Sequence, residues 1–248
     1  MNFIVIIPAR YSSTRFPGKP LALIHGKPMI QRVYEQVMQC RQLSNVVVAT
    51  DDERIEQAVK NFGGQVVMTA EHHQSGTERC AEAITKIPGS FDYVINVQGD
   101  EPFIKSSQID LLCSCFQNQR TKIATLIKTI SRNEELFSSH VVKVVIDSKK
   151  DALYFSRSAI PHHRNAMEKF WIHLSSYYKH IGIYGYERKT LLKIVKLPPS
   201  ELEKAESLEQ LRWLSNGYKI RTAETDEETI SIDTQEDLQH AEKFYSEK

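Results

Sequence analysis

The sequence predicts an α/β fold on a mostly parallel sheet, and three observations carry that expectation. The chain opens on a continuous apolar run, Phe3 to Pro8, as in a strand buried on both faces of a parallel sheet. Short apolar runs then alternate with stretches whose apolar residues recur at helical spacing. At 248 residues the chain can close a large core without disulfides or metals as staples. Strands separated by helices of this length imply right-handed crossovers and helices on both faces of the sheet.

The elements follow in order. After the first strand and its loop, Pro28 opens a helix at the first turn, where its fixed φ is preorganised. Ile30, Val33, Tyr34, Val37 and Met38 form the apolar stripe of that helix. Val46 to Ala49 is the second strand. Ile55, Ala58, Val59 and Phe62 line a second helix, which Gly63-Gly64 closes. Val66 to Met68 is a third strand, a helix starts near Thr77, and Tyr93 to Val97 is a fourth strand.

The second half is less regular. His140 to Asp147, Ala152 to Ser156, His180 to Tyr186 and Lys219 to Thr225 read as strands. Glu201 to Gly217 reads as one helix, with Leu208, Leu211 and Leu214 on one side and a glycine stop. A last helix starts near Thr234. Pro161 to Ser176 is polar, without clear period, and is expected to be an exposed loop.

Composition excludes several classes of function. Lys and Arg total 32 against 31 Asp and Glu, so nothing draws the whole chain to nucleic acid or to an anionic membrane. Any anion site must be local. Cys40, Cys80, Cys113 and Cys115 have no zinc spacing, and reduced thiols in a cytosolic protein are expected. The first apolar run is too short for a signal peptide and lacks a basic flank. No stretch approaches the roughly 20 apolar residues that span a bilayer.

Against this neutral background the loop after the first strand carries Arg10, Arg15 and Lys19, with Ser12, Ser13 and Thr14 among them. Ligands of open α/β sheets bind at the carboxyl ends of strands. Arginine forks and a lysine point charge suit phosphate oxygens. Placement at a strand end favours that reading over a solvated basic turn. No G-x-x-x-x-G-K-[ST] or G-x-G-x-x-G is present, which disfavours a P-loop NTPase and a dinucleotide-binding dehydrogenase. "GKP" occurs twice, and Lys27 in the second copy has a structural or surface role.

Three further stretches sit where strands end. In "QSGTER" Ser75 and Glu78 have capping-box spacing, and the helix start they mark offers free N–H groups to a nucleotide. In "NVQGDEP" Gly99 permits close backbone approach, and Asp100 can hold Mg²⁺ beside phosphates. The same stretch reads equally well as an Asp-rich turn. In "SIDTQEDL" Asp233 follows a short strand and Thr234 starts a helix. Asp233 is either part of a helix cap or a second metal carboxylate, and spacing does not decide whether it meets Asp100. His72-His73 and His162-His163 read as polar loop residues, and no Ser/His/Asp order suggests a hydrolase.

The blocks "IPARYSSTRFPGKPL", "HQSGTERCAEA", "NVQGDEP", "ALYFSRSAIP", "HIGIYGY", "AESLEQLR" and "DTQEDL" occur in an order that resembles the 3-deoxy-manno-octulosonate (KDO) cytidylyltransferases, from Phe3 to Leu238. The resemblance implies a Rossmann-like sheet of the nucleotide-diphospho-sugar transferase type with a smaller mixed sugar-binding and dimerisation portion. It implies one domain over 1–248, in which 1–130 mainly binds CTP and 131–248 mainly serves the sugar, the dimer and the second metal carboxylate. The implied reaction is CTP + KDO → CMP-KDO + diphosphate for lipopolysaccharide synthesis, with Mg²⁺, in a cytoplasmic homodimer that binds neither nucleic acid nor membrane.

By the same resemblance, Arg10, Ser13, Arg15 and Lys19 correspond to the triphosphate site. Ala9, Gln74, Ser75 and Gly76 correspond to the cytosine and ribose pocket. Asp100 and Asp233 correspond to the metal carboxylates. Gln98, Arg157, His180, Tyr184, Glu209 and Gln210 correspond to the sugar-acid site. Arg10, Lys19, Asp100 and Asp233 are the expected catalytic set. Gly185, Glu187 and Ser231 depart from the family pattern without removing a chemical group. The rivals are the same chemistry on 8-amino KDO or a sialate, and a nucleotide-binding regulator without turnover. Two carboxylates argue against the regulator, since binding alone needs no second one.

Overall fold

The computed structural model describes residues 1–12, 16–228 and 231–246. It divides into two compact units, 1–110 with 228–248, and 111–227. In sequence the first division between these compact units lies at 110/111. Ile123–Thr129, a buried strand that the sequence reading passes over, pairs with strands of the second unit and carries its chain neighbours with it.

In the first unit, strand β1 (Phe3–Ala9) is buried along its whole length. A two-residue ribbon, β2 (Leu23–Ile24) and β3 (Lys27–Pro28), turns at His25 and Gly26, both at positive φ. Helix α1 is Met29–Val37, β4 is Leu43–Thr50, α2 is Glu53–Asn61 and β5 is Val66–Met68. Helix α3 is Gly76–Lys86 and β6 is Tyr93–Asn96. The strands pair in parallel in the order β6-β1-β4-β5. Lys27 pairs with Glu35 at 2.8 Å on the surface, in keeping with the structural or surface role expected of it. Helix α4 (Ser106–Ser114), also passed over in the sequence, leads out of this unit.

The second unit is a mixed sheet. Strand β7 is Ile123–Thr129, followed by helix α5 (Asn133–Phe137), β8 (Lys143–Ile146) and β9 (Ala152–Ser156). Then come α6 (Trp171–Leu174), β10 (Tyr178–Glu187), α7 (Arg188–Ile194), α8 (Glu201–Glu206), α9 (Gln210–Ser215) and β11 (Ile220–Glu224). The order is β11-β7-β10-β8-β9, with only β11 and β7 parallel. Helix α10 (Gln235–Ser246) belongs to the first unit.

Two expectations are corrected here. Glu201 to Gly217 is not one helix, because Ser207 adopts a left-handed φ of 52° between α8 and α9. The Glu206 carboxylate accepts from Ser156 Oγ at 2.6 Å and Arg157 N at 2.9 Å, and Arg157 Nε donates to the Glu206 carbonyl at 2.8 Å. These bonds hold the end of α8 on β9 and divert its carbonyl from helix continuation. Pro161 to Ser176 is likewise more than an exposed loop. Trp171, only 3% exposed, packs with Ile130, Leu136 and Tyr177, and its indole donates to the Ala166 carbonyl at 3.0 Å. A four-residue helix is too short to register as a period.

All four cysteines are free thiols. Among the described residues no helix is long and apolar enough to cross a membrane.

Candidate active site

The chemistry of the first unit gathers at the carboxyl ends of β1 and β6. There a cavity of about 240 Å³ is lined by Ala9, Arg10, Lys19, Gln74, Ser75, Gly76, Gln98, Asp100 and Asp233, among others. Close packing of backbone shapes its floor. A Cβ on Gly99 would lie 3.0 Å from the Pro8 carbonyl, so glycine lets β1 and the β6 turn touch. A Cβ on Gly76 would meet the Pro8 ring at 3.0 Å and the Gln98 amide at 3.3 Å.

The basic loop enters this cavity from β1. Gly18, at φ 72°, donates its N–H to the Tyr11 carbonyl at 2.9 Å and closes the loop on itself. The Arg54 guanidinium lies 3.2 Å above the Tyr11 ring, a cation–π contact that holds the loop base. Ser13 and Arg15 lie outside the described residues. Lys19 begins a short 3₁₀ turn whose Pro20 is buried, so its Cα is fixed while the side chain points inward.

Lys19 brings the two acids together. Its Nζ donates to Asp100 at 2.5 Å and to Asp233 at 3.1 Å. The carboxylates, whose meeting the spacing left open, therefore share one cation. Thr234 serves as a cap of α10. Thr234 Oγ1 accepts from Asp237 N at 3.1 Å, and the Asp237 carboxylate accepts from Asp233 N and Thr234 N at 3.0 and 2.9 Å. Ile232 N donates to the Asp100 carbonyl at 3.0 Å, while the Ile232 side chain is buried with Ile24, Met29 and Phe103. The expected strand before Asp233 is absent at 231–233, and this single bond replaces it.

Glu101, which sequence reasoning passed over, stands beside the pair. Its Oε2 is buried with no hydrogen-bond partner among the described residues. Burial, and then the charges of Asp100 and Asp233, push its carboxyl up to about 8, against the pull of Lys19. The only signal in the sequence was its place next to Asp100.

At the start of α3, Ser75 Oγ accepts from Glu78 N at 3.2 Å, while the Glu78 carboxylate reaches Gln74 N at 2.8 Å. The capping role thus coexists with a helix end facing the cavity. Gln74 Nε2 donates to the His72 carbonyl at 2.9 Å. His73 also lines the cavity and hydrogen-bonds Glu82. Gln98, expected at the sugar, lies in this same cavity, with its amide on Asn96 Oδ1 at 3.0 Å.

Two hard carboxylates converging on one cation fit a small divalent ion. Among the described residues no group of three or more His, Cys, Asp or Glu side chains could hold a metal. One or two carboxylates is the number typical of a Mg²⁺ that takes its other oxygens from substrate phosphates and water.

The other expected sugar residues lie in the second unit. His180 and Tyr184 are four residues apart, which in a regular strand is about 13 Å. Their ring centroids are only 5.2 Å apart. The register of β10 against β7 slips between Ile181 and Tyr184, a bulge that folds the two rings together. Thr125 Oγ1 lies 2.8 Å from the Ile183 carbonyl, 3.2 Å from the Ile181 carbonyl and 3.0 Å from His180 Nε2, so one hydroxyl serves the groups the bulge displaces. Burial pushes His180 down to about 4, so its ring is neutral at physiological pH. Burial and then the Glu209 charge raise the Tyr184 hydroxyl. Among the described residues, Tyr184 Oη and Gln210 Nε2 are buried without hydrogen-bond partners. Arg157 donates to the carbonyls of Glu206, Ser139 and Ser207. Glu187, a departure from the family pattern, is satisfied by Lys122 and Thr190, each at 2.7 Å.

An α/β fold that gathers a cationic loop and two carboxylates in one cavity at the carboxyl edge of its sheet has the layout of a nucleotidyltransferase. A family model described as cytidylyltransferase matches residues 4–230. A Bacteroides thetaiotaomicron protein named 3-deoxy-manno-octulosonate cytidylyltransferase is 57% identical over 247 residues, 98% of each chain. A Parabacteroides distasonis protein of the same name is 54% identical over the whole of both chains. A solved CMP:2-keto-3-deoxy-manno-octonic acid synthetase, complexed with CTP, superposes with a TM-score of 0.93 at 44% identity, over 100% of this chain and 99% of that one. The chain belongs to the 3-deoxy-manno-octulosonate cytidylyltransferase family.

Proposed function

We propose that this chain transfers CMP from CTP to KDO, releasing diphosphate. The observation that carries the reading is the Asp100–Lys19–Asp233 cluster in a cavity entered by the basic loop. The full-length relatives named for this reaction support the choice of nucleotide and sugar.

Arg10 and Lys19 would stabilise charge on the α-phosphoryl and departing oxygens, a task of positioning and electrostatics. Asp100 and Asp233 would hold Mg²⁺. Bound there, the ion would neutralise phosphate charge and acidify the attacking anomeric hydroxyl. Ala9, Gln74, Ser75 and Gly76 would receive the cytidine. His180, Tyr184, Glu209 and Gln210 would face the sugar acid, and the orphaned Tyr184 and Gln210 atoms support that assignment. A neutral His180 would serve the sugar as a hydrogen-bonding group and not as a cation. Arg157 would meet the sugar carboxylate, and it also fixes the turn ahead of Glu209 and Gln210.

Diphosphate release with CTP, Mg²⁺ and KDO tests the reading. Release is expected, with kcat/KM for KDO above those for 8-amino KDO and sialate. No release at saturating substrates would leave only the binding-protein reading.

Two further parts of the reading concern the molecule in the cell. We place it in the cytoplasm, where its free thiols stay reduced. We also infer a homodimer, for which the second unit offers exposed Met167, Phe170 and Leu174, at 63%, 45% and 55%. Sedimentation is expected to show a dimer, and Phe170→Glu with Leu174→Glu is expected to shift it towards monomer. An unshifted dimer would place the interface elsewhere.

A further inference from the structure

We propose that Lys19 is a resident counter-ion of the Asp100–Asp233 pair, which yields to a divalent cation only when a nucleoside triphosphate draws its ammonium away. The inference rests on reading these carboxylates as the metal ligands, and it adds a coupling between nucleotide and metal that runs through one side chain.

The first argument is exclusion. Lys19 Nζ lies 2.5 Å from one carboxylate and 3.1 Å from the other, in the place where a metal shared by both would lie. At equal distance, an ammonium and a dication repel twice as strongly as the ammonium is drawn to one carboxylate. The two therefore do not share the seat.

The second argument is incomplete ligation. Among the described residues no group of three or more acids, histidines or cysteines could hold a metal, so Glu101, though beside the pair, does not complete one. A small hard cation that demands six oxygens gains little by displacing Lys19 for two of them. Triphosphate oxygens change that balance, since they provide the missing ligands and also a new partner for the ammonium.

The third argument is reach. The Lys19 backbone is fixed by Gly18 N–H on Tyr11 and by buried Pro20, while the side chain is a flexible stem. Arg10, from the same loop, lines the same cavity, so phosphates drawn to it arrive within range of the lysine. A change of rotamer moves the ammonium from carboxylate to phosphate without moving the fold. Coupling of this kind is reciprocal: the divalent cation must tighten nucleotide by the factor by which nucleotide tightens the cation.

Mn²⁺ is the probe, followed on the full chain as protein-retained metal after rapid filtration, with and without a non-hydrolysable CTP analogue. Wild type without nucleotide is expected to retain little Mn²⁺ at the Asp100 site, defined as the part lost in Asp100→Asn. Lys19→Met keeps the apolar stem and removes the charge. Without nucleotide it is expected to hold Mn²⁺ at least about tenfold more tightly than wild type, and to show a smaller gain on adding the analogue. Lys19→Arg keeps the cation and is expected to retain as little nucleotide-free Mn²⁺ as wild type, which covers the case of a Met variant that folds poorly. Equal nucleotide-free Mn²⁺ affinity in wild type and Lys19→Met would overturn the inference, as would tight nucleotide-free binding in wild type. Failure of the underlying reading looks different: Mn²⁺ is then retained equally by wild type and Asp100→Asn even with the analogue present.

Discussion

Asp100→Asn is expected to lower kcat by about 10³-fold or more while the melting temperature moves by only a few degrees. Removing a single preorganised electrostatic group from a site of this kind costs roughly 10²–10³ in kcat, and Asp100 is asked both to ligate and to help set its partner's geometry. The substitution is nearly isosteric. The Asp100 side chain is 27% exposed and anchors no core element. The bond that pins Asp233 uses the Asp100 backbone carbonyl, which asparagine retains. Lys19 loses its 2.5 Å partner but keeps Asp233. A purely structural acid would show the reverse pattern, with lost stability and preserved turnover. Steady-state diphosphate release and a thermal melt on the same preparation separate the two, and near-wild-type kcat would remove Asp100 from the metal role. If the acids act as one unit, Asp100→Asn with Asp233→Asn is expected to be little worse than either alone.

The first unit was largely legible in the sequence because its strands are buried on both faces and its helices repeat cleanly. Phe3–Ala9, Leu43–Thr50 and Glu53–Asn61 all lie where apolar runs or stripes put them. Asp100 and Lys19 were legible for a related reason, since a strand that ends in a turn announces where a sheet presents side chains. What was not legible was convergence. Nothing in spacing shows that Asp233 returns to Asp100, because one hydrogen bond from Ile232 and the burial of that side chain bring it there. The second unit hid more. Its register depends on the bulge at Gly182–Ile183, whose one signal is a glycine inside a strand pattern that has a second glycine at Gly185, and on Thr125, a buried threonine in a strand the sequence reading passes over. The break at Ser207 was hidden because Glu201 to Gly217 keeps its helical stripe, while the bonds from Ser156 and Arg157 that end α8 come from another part of the chain.

Glu101→Gln is expected to remove a large pH-dependent penalty on stability. The wild-type carboxyl is raised from 4.5 to about 8, by burial first and by Asp100 and Asp233 next. Between those two values the folded chain keeps a proton that the unfolded chain gives up. Stability is therefore full below pH 4.5 and falls as pH rises towards 8, with a slope of about 1.4 kcal/mol per pH unit. Over the whole window that amounts to roughly 4–5 kcal/mol. Glutamine reproduces the neutral carboxylic acid and cannot ionise, so it carries none of this slope. Other titrating groups are common to both proteins and cancel in the difference. Denaturant unfolding at pH 5, 6, 7 and 8, in chelator so that no divalent cation binds, measures it. The variant is expected to gain steadily on wild type across the series. A difference that stays constant with pH would mean that Glu101 is already ionised in the folded protein, with Lys19 outweighing burial and the two neighbouring carboxylates.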